Sequence, residues 1–113
     1  MSTLAPRLEL LWWEGCPSTG EALEILRDAA ATLDLDPGAI EVREVGTDAA
    51  AKRERFVGSP TIRVDGADVQ PPRDAPVGLT CRVYRLRDGR ISPVPDRADV
   101  HAAIKRALDG GGD

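Results

Sequence analysis

The chain's strongest chemical candidates are its two cysteines, Cys16 and Cys81. Cys16 stands in Trp13-Glu14-Gly15-Cys16-Pro17-Ser18-Thr19, directly after an apolar run, Leu8 to Trp13, and directly before a helical pattern that begins at Ser18. A thiol at a strand-to-helix junction faces free backbone N–H groups and the positive end of the helix, both of which favour its thiolate. The thiolate is the form that attacks disulfides and ligates soft metals. Thr19 follows one helical turn later, where its hydroxyl either hydrogen-bonds the sulfur or caps the helix. Glu14 puts negative charge nearby and opposes the thiolate. Cys81 is either a functional partner of Cys16 or a small apolar group buried in a strand. Joining them requires α-carbons within roughly 7 Å, which spacing along a chain leaves open.

The elements that must position these sulfurs follow from periodicity. Arg7 to Trp13 reads as a buried strand, with Leu8, Leu10 and Trp12 on one face and Leu11 and Trp13 on the other. Ser18 to about Asp34 reads as a helix whose apolar stripe is Ala22, Leu23, Leu26, Ala29, Ala30 and Leu33. Asp36-Pro37-Gly38 forces a turn, and Ile40 to Val45 alternates as a second strand with Ile40, Val42 and Val45 inward. Thr47 can cap a short helix to about Arg55, after which Phe56 and Val57 pack inward.

Thr61 to Val64 is a third strand, returned by the Asp65-Gly66 hairpin through Val69. A proline-rich loop, Gln70 to Gly78, leads to a strand over Cys81 to Leu86, and Asp88-Gly89 turns towards Ile91 to Val94. Either hairpin can be the main one of the sheet. Asp96 or Asp99 starts a last helix with Val100, Ile104, Ala107 and Leu108 on its core face. The order predicts an α/β domain spanning residues 1–113, frayed at 1–6 and 109–113. The first two strands are parallel, the hairpin is antiparallel, and helices cover both faces of the mixed sheet.

Composition narrows the function classes. The formal net charge of −4 argues against a nucleic-acid or anionic-membrane surface. No apolar run approaches the roughly 20 residues that span a bilayer. Met1 to Arg7 lacks the basic, apolar and small-residue sequence of a secretory signal, so the expected compartment is the cytoplasm. There, two cysteines read as reactive or buried thiols rather than a structural staple. His101, the only histidine, reads as a surface residue and leaves no His/Cys cluster for zinc. Arg63, Arg73 and Arg82 are solvated charges by default, or carboxylate binders for a small-thiol substrate. Arginine in excess of lysine, with abundant alanine, glycine and proline, fits a GC-rich bacterial genome.

Several of these pieces together resemble the thioredoxin superfamily, most closely its glutaredoxin-like branch. They are the strand ending at Trp13, the turn Gly15-Cys16-Pro17, the following Ala22-Leu23, then Gly58-Ser59-Pro60-Thr61-Ile62 and the Val64-Asp65-Gly66 hairpin. The likeness runs from about Arg7 to Leu108. It implies a thioredoxin-like three-layer α/β/α fold, a cis bond before Pro60, and a groove lined by Trp13, Pro17, Ser59, Pro60 and Thr61. Thr19 stands where that family's motif has its second cysteine, so Cys16 has no local partner. A narrower likeness joins Trp13-Glu14-Gly15-Cys16-Pro17 and Cys81-Arg82-Val83-Tyr84 to small bacterial thioredoxin-like proteins sometimes labelled alkylmercury lyase-like.

The expected function is therefore thiol–disulfide exchange on a protein disulfide or low-molecular-weight thiol. Cys16 is the nucleophile, Cys81 or a small thiol resolves the intermediate, and no cofactor is expected. A soft-metal or organomercurial handler using Cys16 and Cys81 is the alternative, and a non-catalytic binding module a third.

Overall fold

A computed structural model describes residues 5–72 and 74–110. The elements are β1 (Leu8–Trp12), α1 (Thr19–Thr32), β2 (Glu41–Glu44), α2 (Asp48–Glu54), β3 (Thr61–Val64), β4 (Ala67–Asp68), β5 (Tyr84–Arg85), β6 (Ile91–Ser92) and α3 (Arg97–Gly110). A 3-10 turn at Pro37–Ala39 joins α1 to β2. The residues expected to fray include 1–4 and 111–113, which lie outside the described residues, while α3 continues through Gly110.

Alternation along β1 builds the layers. Side chains of a strand point alternately to opposite faces. Leu8 and Leu10 therefore meet Ala22, Ile25 and Leu26 of α1 and Val100 and Ile104 of α3 in one apolar cluster. Leu11, on the other face, packs with Val45, Ala51 and Phe56 beneath α2. The sheet order is β2-β1-β3-β4. β1 runs parallel to β2, with Leu10 beside Val42, and antiparallel to β3, with Leu10 opposite Ile62. The result is an α/β domain with a mixed sheet and three helices. Among the described residues no helix is long and apolar enough to cross a membrane.

The face under α2 also takes a charge. Glu9 is almost wholly enclosed, a costly place for a carboxylate unless it is paired. Arg43 of β2 meets it at 2.8 Å and Arg7 at 3.1 Å. Arg43 reaches on to Glu54 at the end of α2, so one guanidinium ties β1, β2 and α2 together.

One open choice is decided and two expectations change. The Asp65-Gly66 hairpin belongs to the main sheet, whereas Asp88-Gly89 closes a separate two-stranded ribbon, β5–β6. Asp65 and Gly66 both have positive φ, 51° and 83°, as a tight two-residue hairpin demands. The strand expected over Cys81 to Leu86 shrinks to Tyr84–Arg85, and Cys81 instead makes a single parallel bridge to Ser59. Val42, expected inward, is 45 % exposed because β2 is the sheet edge and α1 and α3 cover β1 and β3 instead.

Candidate functional site: a pair of thiols

The chain leaves β1 at Trp12 and turns at once, the Cys16 N–H donating to Trp13 O at 3.1 Å. This turn sets the Cys16 sulfur at the mouth of α1. Ser18 holds the N-cap position but makes no capping bond through its side chain. Its N–H and its hydroxyl are instead among the groups that lower the Cys16 thiol. Cys16 Sγ as a thiol donates to Ser59 O at 3.3 Å, from the residue whose bond to Pro60 is cis.

Cys81 arrives from the far side. The Ser59 N–H donates to Thr80 O, and the Arg82 N–H donates to Ser59 O, each at 2.8 Å. These two bonds lay the segment 80–82 along Ser59 as one rung of a parallel ladder. The approach is close: a Cβ on Gly58 would lie 2.9 Å from the Arg82 Cβ, and Gly58 itself adopts φ +143°. Only glycine serves there. Cys81 Sγ then lies 4.0 Å from Gly15 O, the carbonyl next to Cys16, and the Cys81 side chain is one of the groups that lower the Cys16 thiol. Both cysteines are free thiols, Cys16 buried and Cys81 exposed.

The electrostatics divide the pair. Burial raises the Cys16 thiol, but the Ser18 N–H, the Cys81 thiol and the hydroxyls of Ser18 and Ser59 outweigh it, and the net shift is downward. Cys81 moves upward, first because its proton is engaged by Cys16, then through burial and the negative charge on Cys16. The two sulfurs thus titrate as a unit, the first proton leaving early and the second late. The thiolate is favoured on Cys16, and the solvent exposure lies on Cys81.

The other expected site residues fall out differently. Thr19 Oγ1 is buried with no hydrogen-bond partner among the described residues, so it neither bonds the sulfur nor caps α1. Trp13 is half-buried, packed against the Leu11–Phe56 cluster, and its indole lies on Gly15, where a Cβ would come within 2.3 Å of the ring. Pro17 is exposed beside Cys16. Ser59, Pro60 and Thr61 do not line an open groove. All are buried, Thr61 is paired with Leu11 inside the sheet, and the Ser59 backbone is occupied by Thr80 and Arg82. The backbone of Ser59, expected to line the groove, is taken up by the chain's own segment 80–82.

Of the three arginines, Arg63 turns to Glu54 on α2, at 3.7 Å and through the Glu54 carbonyl. Arg73 lies outside the described residues. Arg82, expected at the surface, is buried and grips Asp68. His101 is half-buried against α1, away from the thiols, in a cleft it shares with Asp28 and Arg97. Residues that sequence reasoning missed are Ser18, Asp68 and Tyr84. Ser18 looks like an ordinary helix cap, and only its failure to cap reveals its use.

Among the described residues no group of three or more His, Cys, Asp or Glu side chains converges as a metal cage would. A scan against protein-family models matches none, and comparisons with curated proteins and with solved structures find no match either.

Proposed function

We propose that this protein is a thiol–disulfide oxidoreductase of the thioredoxin-like kind, working through a Cys16–Cys81 dithiol. The observation that carries the reading is the convergence of two free thiols at Ser59: Cys16 donates to Ser59 O, the Ser59 backbone bonds Thr80 and Arg82 on either side of Cys81, and Cys81 Sγ lies 4.0 Å from the carbonyl of Gly15, the residue before Cys16. The parallel β1–β2 pair, the antiparallel β3–β4 hairpin and the Gly-Cys-Pro turn facing Ser59-Pro60 are what a glutaredoxin-like resemblance anticipates, and they support it. The partner is a protein disulfide or a low-molecular-weight disulfide.

The Cys16 thiolate attacks one sulfur of the external disulfide and expels the other as a thiolate, which takes up a proton. Cys81 then loses its proton, attacks the Cys16 sulfur of the mixed disulfide, and releases the second substrate thiol. The protein dithiol is oxidised to a disulfide and the external disulfide is reduced to two thiols. The exposed Cys81 sulfur lies 4.0 Å from the Gly15 carbonyl, next to the buried Cys16, so a disulfide that reaches Cys81 also comes near the thiolate-favoured sulfur.

Two measurements on the same protein test this. Treatment with oxidised glutathione is expected to close a Cys16–Cys81 disulfide, read by mass and by peptide mapping. The rate should follow the thiolate on Cys16. It rises with pH at values below those of a free cysteine, whose pKa is about 8.5, and levels off before Cys81 ionises. A half-rise at or above the free-cysteine value, or oxidation that leaves both cysteines unjoined, overturns the proposal.

The same convergence favours a second reading, soft-metal binding. Two converging sulfurs give mercury(II) its preferred linear pair of soft donors. Titration with mercury(II), read by native mass, is expected to add one ion that is lost in either Cys16→Ser or Cys81→Ser. Loss in Cys16→Ser alone rejects the bridging site. A chain that fails both tests is a binding module without thiol chemistry.

A further inference from the structure

Cys81 is followed directly by the one buried cation among the described residues. The Arg82 side chain is 7 % exposed. Its fork grips Asp68 through both carboxylate oxygens, at 2.6 and 3.0 Å. The same guanidinium donates to Thr61 Oγ1 at 3.2 Å and to Gln70 O, and its carbon sits 4.4 Å from the centre of the Tyr84 ring. The Tyr84 hydroxyl in turn donates to Pro60 O. None of these groups is the hydrogen-bond partner of either sulfur; those partners are Ser59 O for Cys16 and Gly15 O for Cys81.

Their effect passes through the backbone. Successive side chains of an extended segment point to opposite sides. With the segment 80–82 laid along Ser59, fixing the Arg82 side chain on β4 aims its neighbour Cys81 the other way, towards Cys16. Arg82 is absent from the groups that shift Cys16 directly, whereas Cys81 is among them. A bidentate arginine–carboxylate pair is suited to this because its two parallel bonds fix orientation as well as distance.

We infer that the Arg82–Asp68 pair is a positioning device for the dithiol, setting how closely Cys81 is held to Cys16 and therefore how readily their disulfide closes. This rests on the oxidoreductase reading above. Arg82 and Asp68 are positioning residues, not catalytic ones. They raise the effective concentration of one thiol at the other.

The test equilibrates the full chain in glutathione buffers of graded ratio, where protein dithiol and oxidised glutathione give protein disulfide and two reduced glutathiones. The oxidised fraction, read by mass after acid quenching, gives the equilibrium constant for closure. Arg82→Met and Asp68→Asn are each expected to lower that constant about tenfold or more. They should also move the Cys16 thiolate titration upward, because Cys81 no longer donates to it. A purely structural role would lower the melting midpoint and leave both readings at wild-type values.

Single variants leave a buried charge or dipole without its partner and can fail to fold. The double variant Arg82→Met/Asp68→Leu removes both charges, which recovers stability in an apolar setting. It is expected to fold and still to close the disulfide poorly. A wild-type chain that never closes the bond overturns the oxidoreductase reading and this inference with it. A wild type that closes it, beside folded variants that close it equally well, overturns the inference alone.

Discussion

Cys16→Ser is expected to abolish disulfide exchange and, at the same time, to make Cys81 a more ordinary thiol. The loss of turnover should be at least on the order of a hundredfold, because Cys81 alone has no second thiol in the chain to resolve the mixed disulfide it forms, and removal of a nucleophile is among the largest single effects in catalysis. The second half is the sharper test. Cys81 is held above its usual range first by the engagement of its proton with Cys16 and last by the charge there. A serine at position 16 carries no charge and accepts that proton less strongly. The Cys81 thiolate is then populated at lower pH than in the wild type, and alkylation of Cys81 near neutrality becomes faster although the protein is less active. Cys81→Ser should behave in the opposite sense. It keeps the Ser18 and Ser59 bonds that favour the Cys16 thiolate, so it still attacks, but it stalls as a mixed disulfide. Turnover with oxidised glutathione and the rate of Cys81 alkylation read the first variant, and the mass of trapped glutathione reads the second. Turnover in Cys16→Ser, or a Cys81 in that variant that alkylates no faster than in the wild type, would remove Cys16 from its role.

How much of this was legible beforehand depends on the range of the interactions concerned. The sheet and its helices could be read because β1, α1, β3 and α3 announce themselves by local periodicity. Leu8, Leu10 and Leu11 sort themselves to the two faces by parity alone. The place of Cys16 at the mouth of α1 was legible for the same reason, since strand, turn and helix are contiguous in sequence. The placement of Cys81 was not. Residues 80–82 carry no periodic signal, and what holds them is a pair of backbone bonds to Ser59 and a buried ion pair to Asp68. Nothing local distinguishes Arg82 from a solvated surface arginine. Glu9 hides likewise in an apolar strand, since its compatibility with burial depends on Arg43 arriving from β2. Thr19 misled in the other direction. Its spacing from Cys16 is right for a hydrogen bond, but Ser18 makes the contact that Thr19 does not.

Phe56→Ala is expected to cost about 3–5 kcal/mol of stability, the usual range for emptying a fully buried aromatic site. Phe56 is 0 % exposed and fills the smaller of the two apolar clusters, with Leu11, Val45 and Ala51. That cluster is roofed by α2, only seven residues long, so few neighbours can close over the vacated volume. Against a total of roughly 5–15 kcal/mol for a domain, the loss is a large fraction, and urea unfolding reads it as a lower midpoint at unchanged slope. The consequence also reaches the thiols. Trp13, three residues before Cys16, and Leu79, two residues before Cys81, both rest on this cluster, and the Gly78 N–H donates to Phe56 O at 3.0 Å. The ring therefore underlies both limbs that bring the sulfurs together. In the fraction of Phe56→Ala that remains folded, closure of the Cys16–Cys81 disulfide should be weaker, while Phe56→Leu, which refills most of the space, should restore both stability and closure. Closure at wild-type strength in folded Phe56→Ala would mean that the ladder at Ser59 and the grip on Asp68 hold the sulfurs together without support from below.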